Sequence, residues 1–276
     1  MKKKVLLGIK LLLAAGLACG LFVIGRQEID YKRGEGSYED AEQIAGIVQL
    51  PDQLETAAPG QEEAGDGEAA AAEAVDPYKD MLSKIDLGAL RQVNGDVVGW
   101  IAIPKTELSY PMLQRADNDY YLDHTWKNER NSVGAIFMEC KIDAGLDDFN
   151  TIVYGHRMRN LSMFGSLRYY DDLEYLKEHP SVYVAVDSGV YKYDIYAAYE
   201  VGLRTITYRL DVDTPEEKEE CIRFGLESSV IDAGVVPAAE DKILTLSTCT
   251  GRGHATRWVV QAVCRGEEEK EELAGR

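Results

Sequence analysis

The sequence TLSTCTGRGHATRWVV, residues 245–260, places a cysteine and an arginine on either side of a glycine-rich loop. The residues before the loop, KILTLSTC, and those after it, RWVVQAVC, have the composition and alternation of strands. Alternation puts Ser247 and Cys249 on one hydroxyl-rich face, so Cys249 ends a polar face rather than an apolar one. If the strands pair as a hairpin around 250–256, Cys249 and Arg257 lie opposite each other with Cβ atoms about 5 Å apart.

This pairing predicts nucleophilic chemistry, because a guanidinium beside a thiol favours the thiolate or binds an oxyanion formed next to the sulfur. A base is available at the end of another predicted strand, TIVYGH, where Gly155 permits close backbone approach and His156 follows. Imidazole exchanges protons near neutral pH. Cys249, His156 and Arg257 together are therefore expected to form an acyl-transfer site.

Each of the three residues also has a structural interpretation. Cys249 could be a small residue buried in the core. His156 could be a hydrogen-bonded structural residue at a strand end, and Arg257 could be an ordinary surface charge. A metal half-site of Cys249 with His254 is also conceivable, although no second pair of ligands completes it. Three other histidines are weaker candidates for the base: His124, His179 and His254.

The N-terminal sequence MKKKVLLGIKLLLAAGLACGLFVIGR predicts a membrane anchor over residues 1–26. Its apolar run is about 20 residues long, which is enough to span a bilayer, and Lys10 lies close enough to its start to reach the interface. The lysines at 2–4 keep the N-terminus in the cytoplasm and direct the rest of the chain outside. The alternatives are a cleaved signal peptide and lipidation of Cys19.

The composition changes twice along the remaining chain. Residues 27–76 are rich in Ala, Glu and Gly and predict a solvated stalk. A folded domain is expected over 77–266 and a charged tail over 267–276. The domain combines many short strands with a few helices, which favours a β-barrel or sandwich with helical insertions. One such helix is predicted over TPEEKEECIRFGLESS, where Thr214 is the cap and Glu217 completes a capping-box pattern.

The bulk composition excludes several classes of protein. The chain has 276 residues and a net charge of −18, and this acidity argues against binding to nucleic acid. Its five cysteines contain no CxxC pair, so neither a zinc knuckle nor a disulfide scaffold is expected. No metal and no cofactor are predicted.

Several of these segments carry a family resemblance. TLSTCT followed by Arg257, together with YGHRMRNLSMFGSL around His156, resembles the signature segments of the sortases, the cysteine transpeptidases of Gram-positive cell surfaces. NGDVVGWIAIPKTELSYPMLQRADNDYYLDHTW and GAIFMEC resemble class B members. The resemblance spans 78–265 and implies a mainly β fold: a closed sortase-type barrel of about eight strands with peripheral helices, here preceded by one transmembrane helix.

The resemblance also implies a reaction. Cys249 would attack the threonine carbonyl of a C-terminal sorting motif in a secreted protein and form a thioester. His156 would protonate the leaving amine, Arg257 would hold the substrate backbone or the oxyanion, and an amine of a peptidoglycan precursor such as lipid II would accept the acyl group. The expected location is the cell membrane, with the catalytic domain outside. Three further residues are expected to line the substrate groove: Tyr154, Ser247 and Thr248. For Ser247 an equal alternative is a structural role, as a hydroxyl on the face of the barrel that binds no substrate.

Three alternative functions remain open on sequence grounds. Asp76-Pro77-Tyr78 resembles the lid of pilin-polymerising class C sortases. The core motifs, however, resemble class B, and the C-terminus is charged where class C members usually have a membrane span. A catalytically inactive, membrane-tethered binding module is the second alternative. An L,D-transpeptidase is the third, but its nucleophile lies in a Ser-x-Gly-Cys turn that TLSTCT does not match.

Overall fold

A closed barrel of eight strands forms the centre of the computed structural model, which describes residues 2–47, 76–250 and 255–264. Around the barrel the strands follow the order β1-β2-β3-β4-β7-β8-β6-β5, and pairing of β5 with β1 closes it. The predicted barrel of about eight strands with peripheral helices is therefore confirmed. The strands are β1 Val97–Ala102, β2 Ser109–Leu113, β3 Ile136–Met138, β4 Asn150–Tyr154, β5 Ser181–Val186, β6 Gly189–Gly202, β7 Lys242–Cys249 and β8 Thr256–Cys264.

Helices surround this barrel. One long helix and two short helices precede β1, a third short helix precedes β5, and a helix of intermediate length lies between β6 and β7. Three turns of 3-10 helix lie in the connections, at Tyr120–Leu122, Ser166–Asp171 and Ile206–Tyr208. The α-helices of the described residues are α1 Lys2–Ala45, α2 Pro77–Leu82, α3 Leu87–Val93, α4 Leu173–Glu178 and α5 Pro215–Ser228.

The period-two pattern of β7 and β8 places both strands between two apolar clusters. Leu244 and Leu246 of β7 belong to the main core, together with the buried residues of β1 and β2. Ile243 of β7 and Val259 of β8 face the other way, into a second cluster that includes Ile222 of α5. Because both faces are covered, a one-residue slip of either strand would exchange residues between two packed layers.

The start of α5 is fixed by the capping box that the sequence predicts. The Thr214 hydroxyl accepts a hydrogen bond from the Glu217 N–H at 3.3 Å, and the Glu217 carboxylate accepts one from the Thr214 N–H at 3.2 Å. Pro215 occupies the first turn, where its missing N–H is not needed. These contacts start the helix that covers the outer face of β6 and β8.

Helix α1 differs from the expected anchor and stalk. A single helix runs from Lys2 to Ala45, so the apolar run shares it with Lys10 and with a charged segment from Arg26 onwards. No helix in the described parts of the chain has the combination of length and hydropathy needed to cross a bilayer. The transmembrane helix predicted over 1–26 is therefore not found there.

The first part of the expected stalk is also packed rather than solvated. Tyr38, Ala41 and Ala45 are buried in the main core. Their spacing of three and four residues places them on one face of α1, which is the face that meets the barrel. The rest of the expected stalk, 48–75, and the charged tail, 267–276, lie outside the described residues.

Close approach of α5 to the barrel predicts a cost for substituting Gly225. A Cβ there would overlap the Gln261 side-chain oxygen and lie 3.3 Å from the Tyr196 hydroxyl. The Tyr196 hydroxyl donates a hydrogen bond to this Gln261 oxygen at 2.8 Å, and both groups are buried between α5 and the barrel. Gly225→Ala should lower the free energy of unfolding, because overpacking costs about 1–3 kcal/mol and disturbs that bond, against a helix-propensity gain of roughly 1 kcal/mol.

Chemical denaturation of the full chain checks this expectation. Glu227→Ala, at an exposed position of the same helix, is the control and should change stability by less than about 0.5 kcal/mol. Greater stability of Gly225→Ala than of the parent protein would contradict the close packing of α5.

Candidate active site

The ends of three strands bring the predicted catalytic residues together. Strands β4 and β7 are parallel, with Tyr154 beside Ser247. Strands β7 and β8 are antiparallel, and their register pairs Cys249 with Arg257, the opposition that the sequence predicts. His156 lies two residues beyond the end of β4. All of these residues therefore meet at one end of the barrel.

A cleft of about 280 Å³ opens at this end and is called here the Cys249 cleft. Its lining includes every site residue named from the sequence: Tyr154, His156, Ser247, Thr248, Cys249 and Arg257. Cys249 and Arg257 are both partly exposed, as a group that must meet a substrate requires. The cleft is completed by residues that the sequence analysis did not name: Asn118, Asp119, Leu122, Ala135, Phe137 and Leu203.

The imidazole of His156 is held by a backbone carbonyl. Its Nε2 lies 2.6 Å from the carbonyl oxygen of Leu122. Since a carbonyl can only accept, Nε2 is assigned the proton from this partner, and in the neutral ring Nδ1 is the nitrogen left to accept a proton. On the main chain, the His156 carbonyl accepts a hydrogen bond from the Phe164 N–H at 2.9 Å. Leu122 was missed because a backbone carbonyl has no signature in the sequence.

Gly155 is needed for close packing immediately before the histidine. A Cβ at this position would lie 2.5 Å from Cδ1 of Ile136 and 2.8 Å from the ring of Phe164. Either distance is well below a normal carbon–carbon contact. The close backbone approach expected at Gly155 is therefore present, and it brings the chain at His156 against the barrel wall.

Tyr208 is a neighbour of the site that the sequence did not reveal. Its hydroxyl pairs with the Ser247 hydroxyl at 2.8 Å. Burial raises the pKa of Tyr208, the bond to Ser247 and the charge of Arg257 oppose that rise, and Cys249 adds to it. Tyr208 is thus within electrostatic reach of both Cys249 and Arg257. It lies in a 3-10 turn after β6, a location that no motif indicates.

Ser247 and Thr248 line the cleft but offer little surface to a ligand, since each is 2% exposed. The bond to Tyr208 gives the Ser247 hydroxyl a structural partner, which favours its interpretation as a barrel-face hydroxyl. The Thr248 hydroxyl is buried without a hydrogen-bond partner among the described residues. Substrate binding by either residue remains a prediction.

The wall beside Tyr154 contains a buried carboxylate that the sequence analysis also missed. Glu139 is 7% exposed, and its Oε2 accepts hydrogen bonds from the Tyr154 hydroxyl at 3.0 Å and from Nδ2 of Asn118 at 2.7 Å. Burial raises the pKa of Tyr154, and the charge of Glu139 raises it further. The Tyr154 hydroxyl therefore stays protonated as a donor to Glu139, while the residue lines the cleft.

The alternative bases are not in the cleft. Nδ1 of His124 lies 2.9 Å from the carbonyl of Tyr120, and Nδ1 of His179 lies 2.9 Å from the carbonyl of Pro104. Neither histidine lines the Cys249 cleft. His254, and with it the conceivable metal half-site, falls outside the described residues.

Comparison with known proteins gives the family. The Sortase domain family model matches residues 101–265, more than half of the chain. The chain belongs to the sortase family. This sortase is 40% identical over 168 residues to Sortase B of Listeria monocytogenes, a match that covers 59% of this chain and 67% of that one. It is 30% identical over 161 residues to Sortase B of Staphylococcus aureus, covering 58% of this chain and 66% of the relative.

A solved structure agrees with the sequence relatives. The Staphylococcus aureus sortase B–substrate complex superimposes with a TM-score of 0.68 at 25% identity, covering 87% of this chain and 99% of that one. The predicted resemblance to class B sortases is therefore confirmed.

The buried Glu139 generates a prediction about Tyr154. Tyr154→Phe removes one of the two donors to Oε2 of Glu139, so it should lower the free energy of unfolding by about 1.5–3 kcal/mol, the range for a hydrogen bond to a charged group. Tyr191→Phe is the matched control, because its hydroxyl bonds only the exposed Ser188 at 3.0 Å among the contacts described. Equal effects of the two substitutions in chemical denaturation would refute the bond to Glu139.

Proposed function

We propose that this sortase is a cysteine transpeptidase that cleaves a C-terminal sorting motif after threonine and transfers the protein to an amine of a cell-wall precursor. The observation that carries the proposal is the register of β7 and β8, which pairs Cys249 with Arg257 in the cleft that His156 also lines. A nucleophile, a cation and a base in one cleft are the groups that acyl transfer requires.

The first half of the reaction forms a thioester. The thiolate of Cys249 attacks the threonine carbonyl, and the carbonyl oxygen becomes an oxyanion that the Arg257 guanidinium stabilises. The C–N bond after threonine then breaks, and protonated His156 gives its proton to the leaving amine. The free C-terminal fragment departs, and the threonine remains bound to the sulfur.

The second half reverses these roles. The acceptor amine attacks the thioester carbonyl, and neutral His156 takes up the proton that the amine loses. The C–S bond breaks, so the thiolate is regenerated and a new amide bond joins the substrate to the acceptor. Because the Nε2–H of His156 donates to the Leu122 carbonyl, Nδ1 is the atom at which His156 exchanges the proton in both halves of the reaction.

The proposed partners follow from this chemistry. They are secreted proteins with a C-terminal sorting motif and a peptidoglycan precursor such as lipid II, at the outer surface of the cell membrane. We propose 77–266 as the catalytic domain. The fine specificity for the motif belongs to the lining of the Cys249 cleft.

The segment that resembles a class C lid does not cover this cleft. Asp76 caps α2 by accepting hydrogen bonds from the N–H groups of Tyr78 and Lys79. Its other carboxylate oxygen accepts a hydrogen bond from the Tyr183 hydroxyl at 2.9 Å. The ring of Tyr78 packs on Tyr183 with centroids 5.7 Å apart. These contacts dock the segment on β5, which favours the class B function over pilin polymerisation.

The central test is trapping of the thioester on Cys249. The full chain is incubated with peptides that carry Leu-Pro-x-Thr-Gly, Asn-Pro-x-Thr-x or Ser-Pro-x-Thr-Gly motifs, and the intact mass is measured. We expect one motif to give an adduct that maps to Cys249. Cys249→Ala should abolish the adduct and all turnover without changing the thermal unfolding transition, because a strand-end position tolerates a small side chain.

Cys221→Ala, on α5 and outside the cleft, is the matched cysteine control and should retain the adduct. Loss of cooperative unfolding in Cys249→Ala would indicate a core thiol instead of a nucleophile. Slow alkylation of Cys249 in the parent protein, no faster than that of Cys221, together with no adduct, would favour the inactive binding module.

The role of Arg257 gives an independent prediction. Arg257→Lys should reduce kcat/KM by about 100-fold, because an ammonium cannot reproduce the two-pronged donor geometry of a guanidinium toward an oxyanion. Arg223→Lys, at an exposed position of α5, is the control and should leave kcat/KM unchanged. Near-normal turnover by Arg257→Lys would remove Arg257 from the mechanism.

A further inference from the structure

The second half of α1 lies along the backbone that surrounds His156. The Tyr38 hydroxyl donates to the carbonyl of Gly134 at 2.5 Å, and Nε1 of Trp126 donates to the carbonyl of Ser37 at 2.6 Å. Nearer the start of the helix, Nδ2 of Asn131 donates to the carbonyl of Asp30 at 2.8 Å. The segment 121–134 is therefore attached to α1 at several points, and this is the segment that holds the imidazole through Leu122.

Besides the Leu122 carbonyl, Gly134 is a second point at which this segment lies against the imidazole. Its φ is +63°, which favours glycine. A Cβ at Gly134 would lie 2.9 Å from Cδ2 of His156, 2.7 Å from the carbonyl oxygen of Tyr121 and 3.0 Å from that of Leu122. The ring of His156 thus rests directly on the backbone whose carbonyl Tyr38 binds.

Tyr38 also reaches the other side of His156 through its ring. The ring packs edge-on against Tyr110, with centroids 5.2 Å apart. The Tyr110 hydroxyl accepts a hydrogen bond from the Met163 N–H at 3.1 Å. The next residue, Phe164, donates its N–H to the His156 carbonyl at 2.9 Å. Tyr38 therefore supports two segments that contact His156: its hydroxyl binds Gly134, which lies against the imidazole, and its ring packs on Tyr110, which binds the segment that contacts the His156 carbonyl.

We propose that Tyr38 is a positioning residue for His156, and that docking of α1 through Tyr38 is required for efficient proton transfer in the Cys249 cleft. The catalytic part of this inference rests on the proposed transpeptidase function. Tyr38 acts by fixing Gly134, and through it the carbonyl of Leu122 that holds the proton on Nε2. Without that support the ring and its tautomer are free to vary, and Nδ1 is not consistently available for the reaction.

Two glycines of α1 provide a matched pair of variants. A Cβ at Gly34 would lie 2.8 Å from Cγ2 of Val133 and 3.0 Å from Oδ1 of Asn131, so Gly34→Ala pushes α1 away from the segment that ends at Gly134. A Cβ at Gly36 meets nothing within 4 Å. Both substitutions raise the intrinsic helix propensity equally, and only the first disturbs the docking.

The experiment compares Tyr38→Phe, Gly34→Ala and Gly36→Ala in the full chain. Turnover of the sorting peptide is measured, and the ¹⁵N spectrum of the histidine side chains is recorded to show which ring nitrogen carries the proton. Tyr38→Phe and Gly34→Ala should each lower kcat about tenfold, as small displacements of a catalytic group do, and leave KM within about twofold. Their His156 signals should change from a single Nε2–H tautomer to a mixture.

Internal controls separate positioning from loss of structure. Gly36→Ala should match the parent protein in both measurements, and the signals of His179, which is bound to Pro104 on another part of the barrel, should be unchanged in all variants. An unchanged kcat and an unchanged His156 spectrum in Tyr38→Phe and Gly34→Ala would overturn the proposal. Changes of equal size at His179 would also overturn it, because they would indicate general destabilisation.

Failure of the proposed function has a different signature. If the parent protein turns over none of the peptides, the transpeptidase assignment fails, yet the spectrum of His156 still decides whether Tyr38 positions the ring. A mixed tautomer in Tyr38→Phe would then support the structural link, and an unchanged tautomer would refute it.

Discussion

The register of β7 between its two neighbours is the constraint on which the site depends. Parallel pairing with β4 aligns Ser247 with Tyr154, and antiparallel pairing with β8 aligns Cys249 with Arg257. A slip of one residue would turn Cys249 to the opposite face of the strand and away from the guanidinium. Packing on both sides of β7 opposes that slip, because the main core takes Leu244 and Leu246 from one face while Ile243 on the other face enters the second cluster. Packing remote from the cleft thus determines its chemistry.

A buried polar layer on the outer face of the barrel reinforces this register. Oγ1 of Thr245 donates to Oδ1 of Asn150 at 2.7 Å and accepts from Nε2 of Gln261 at 3.0 Å. Asn150 in turn donates to the carbonyl of Thr207 at 3.1 Å, next to Tyr208, whose hydroxyl meets Ser247. Since each unmet polar group in such a layer costs about 1–3 kcal/mol, the hydrogen bonds oppose any other alignment of β7. The layer also joins the floor of the cleft to the turn that contains Tyr208.

The parts of the site that were predictable are those with a local signature. The opposition of Cys249 and Arg257 follows from alternation in two strands joined by a short loop, and the location of His156 follows from a strand that ends in a glycine and a histidine. The Leu122 carbonyl and Glu139 were missed because their contacts join residues far apart in the chain. The docked half of α1 was missed for a related reason: its acidic composition suggests a stalk, and Tyr38 with two alanines is too weak an apolar stripe to indicate a packed helix.

The place of β8 in the barrel has a consequence for how the protein is made. This strand is inserted between β7 and β6, and it is the final strand of the described chain. Because synthesis proceeds from the N-terminus, Cys249 emerges before Arg257, at a stage when the barrel is still open. On the incomplete polypeptide the cysteine therefore has no guanidinium neighbour, and it gains Arg257 only when the last strand closes the barrel. Under the proposed function, the nucleophile and its oxyanion partner therefore come together only once the barrel that aligns them is complete.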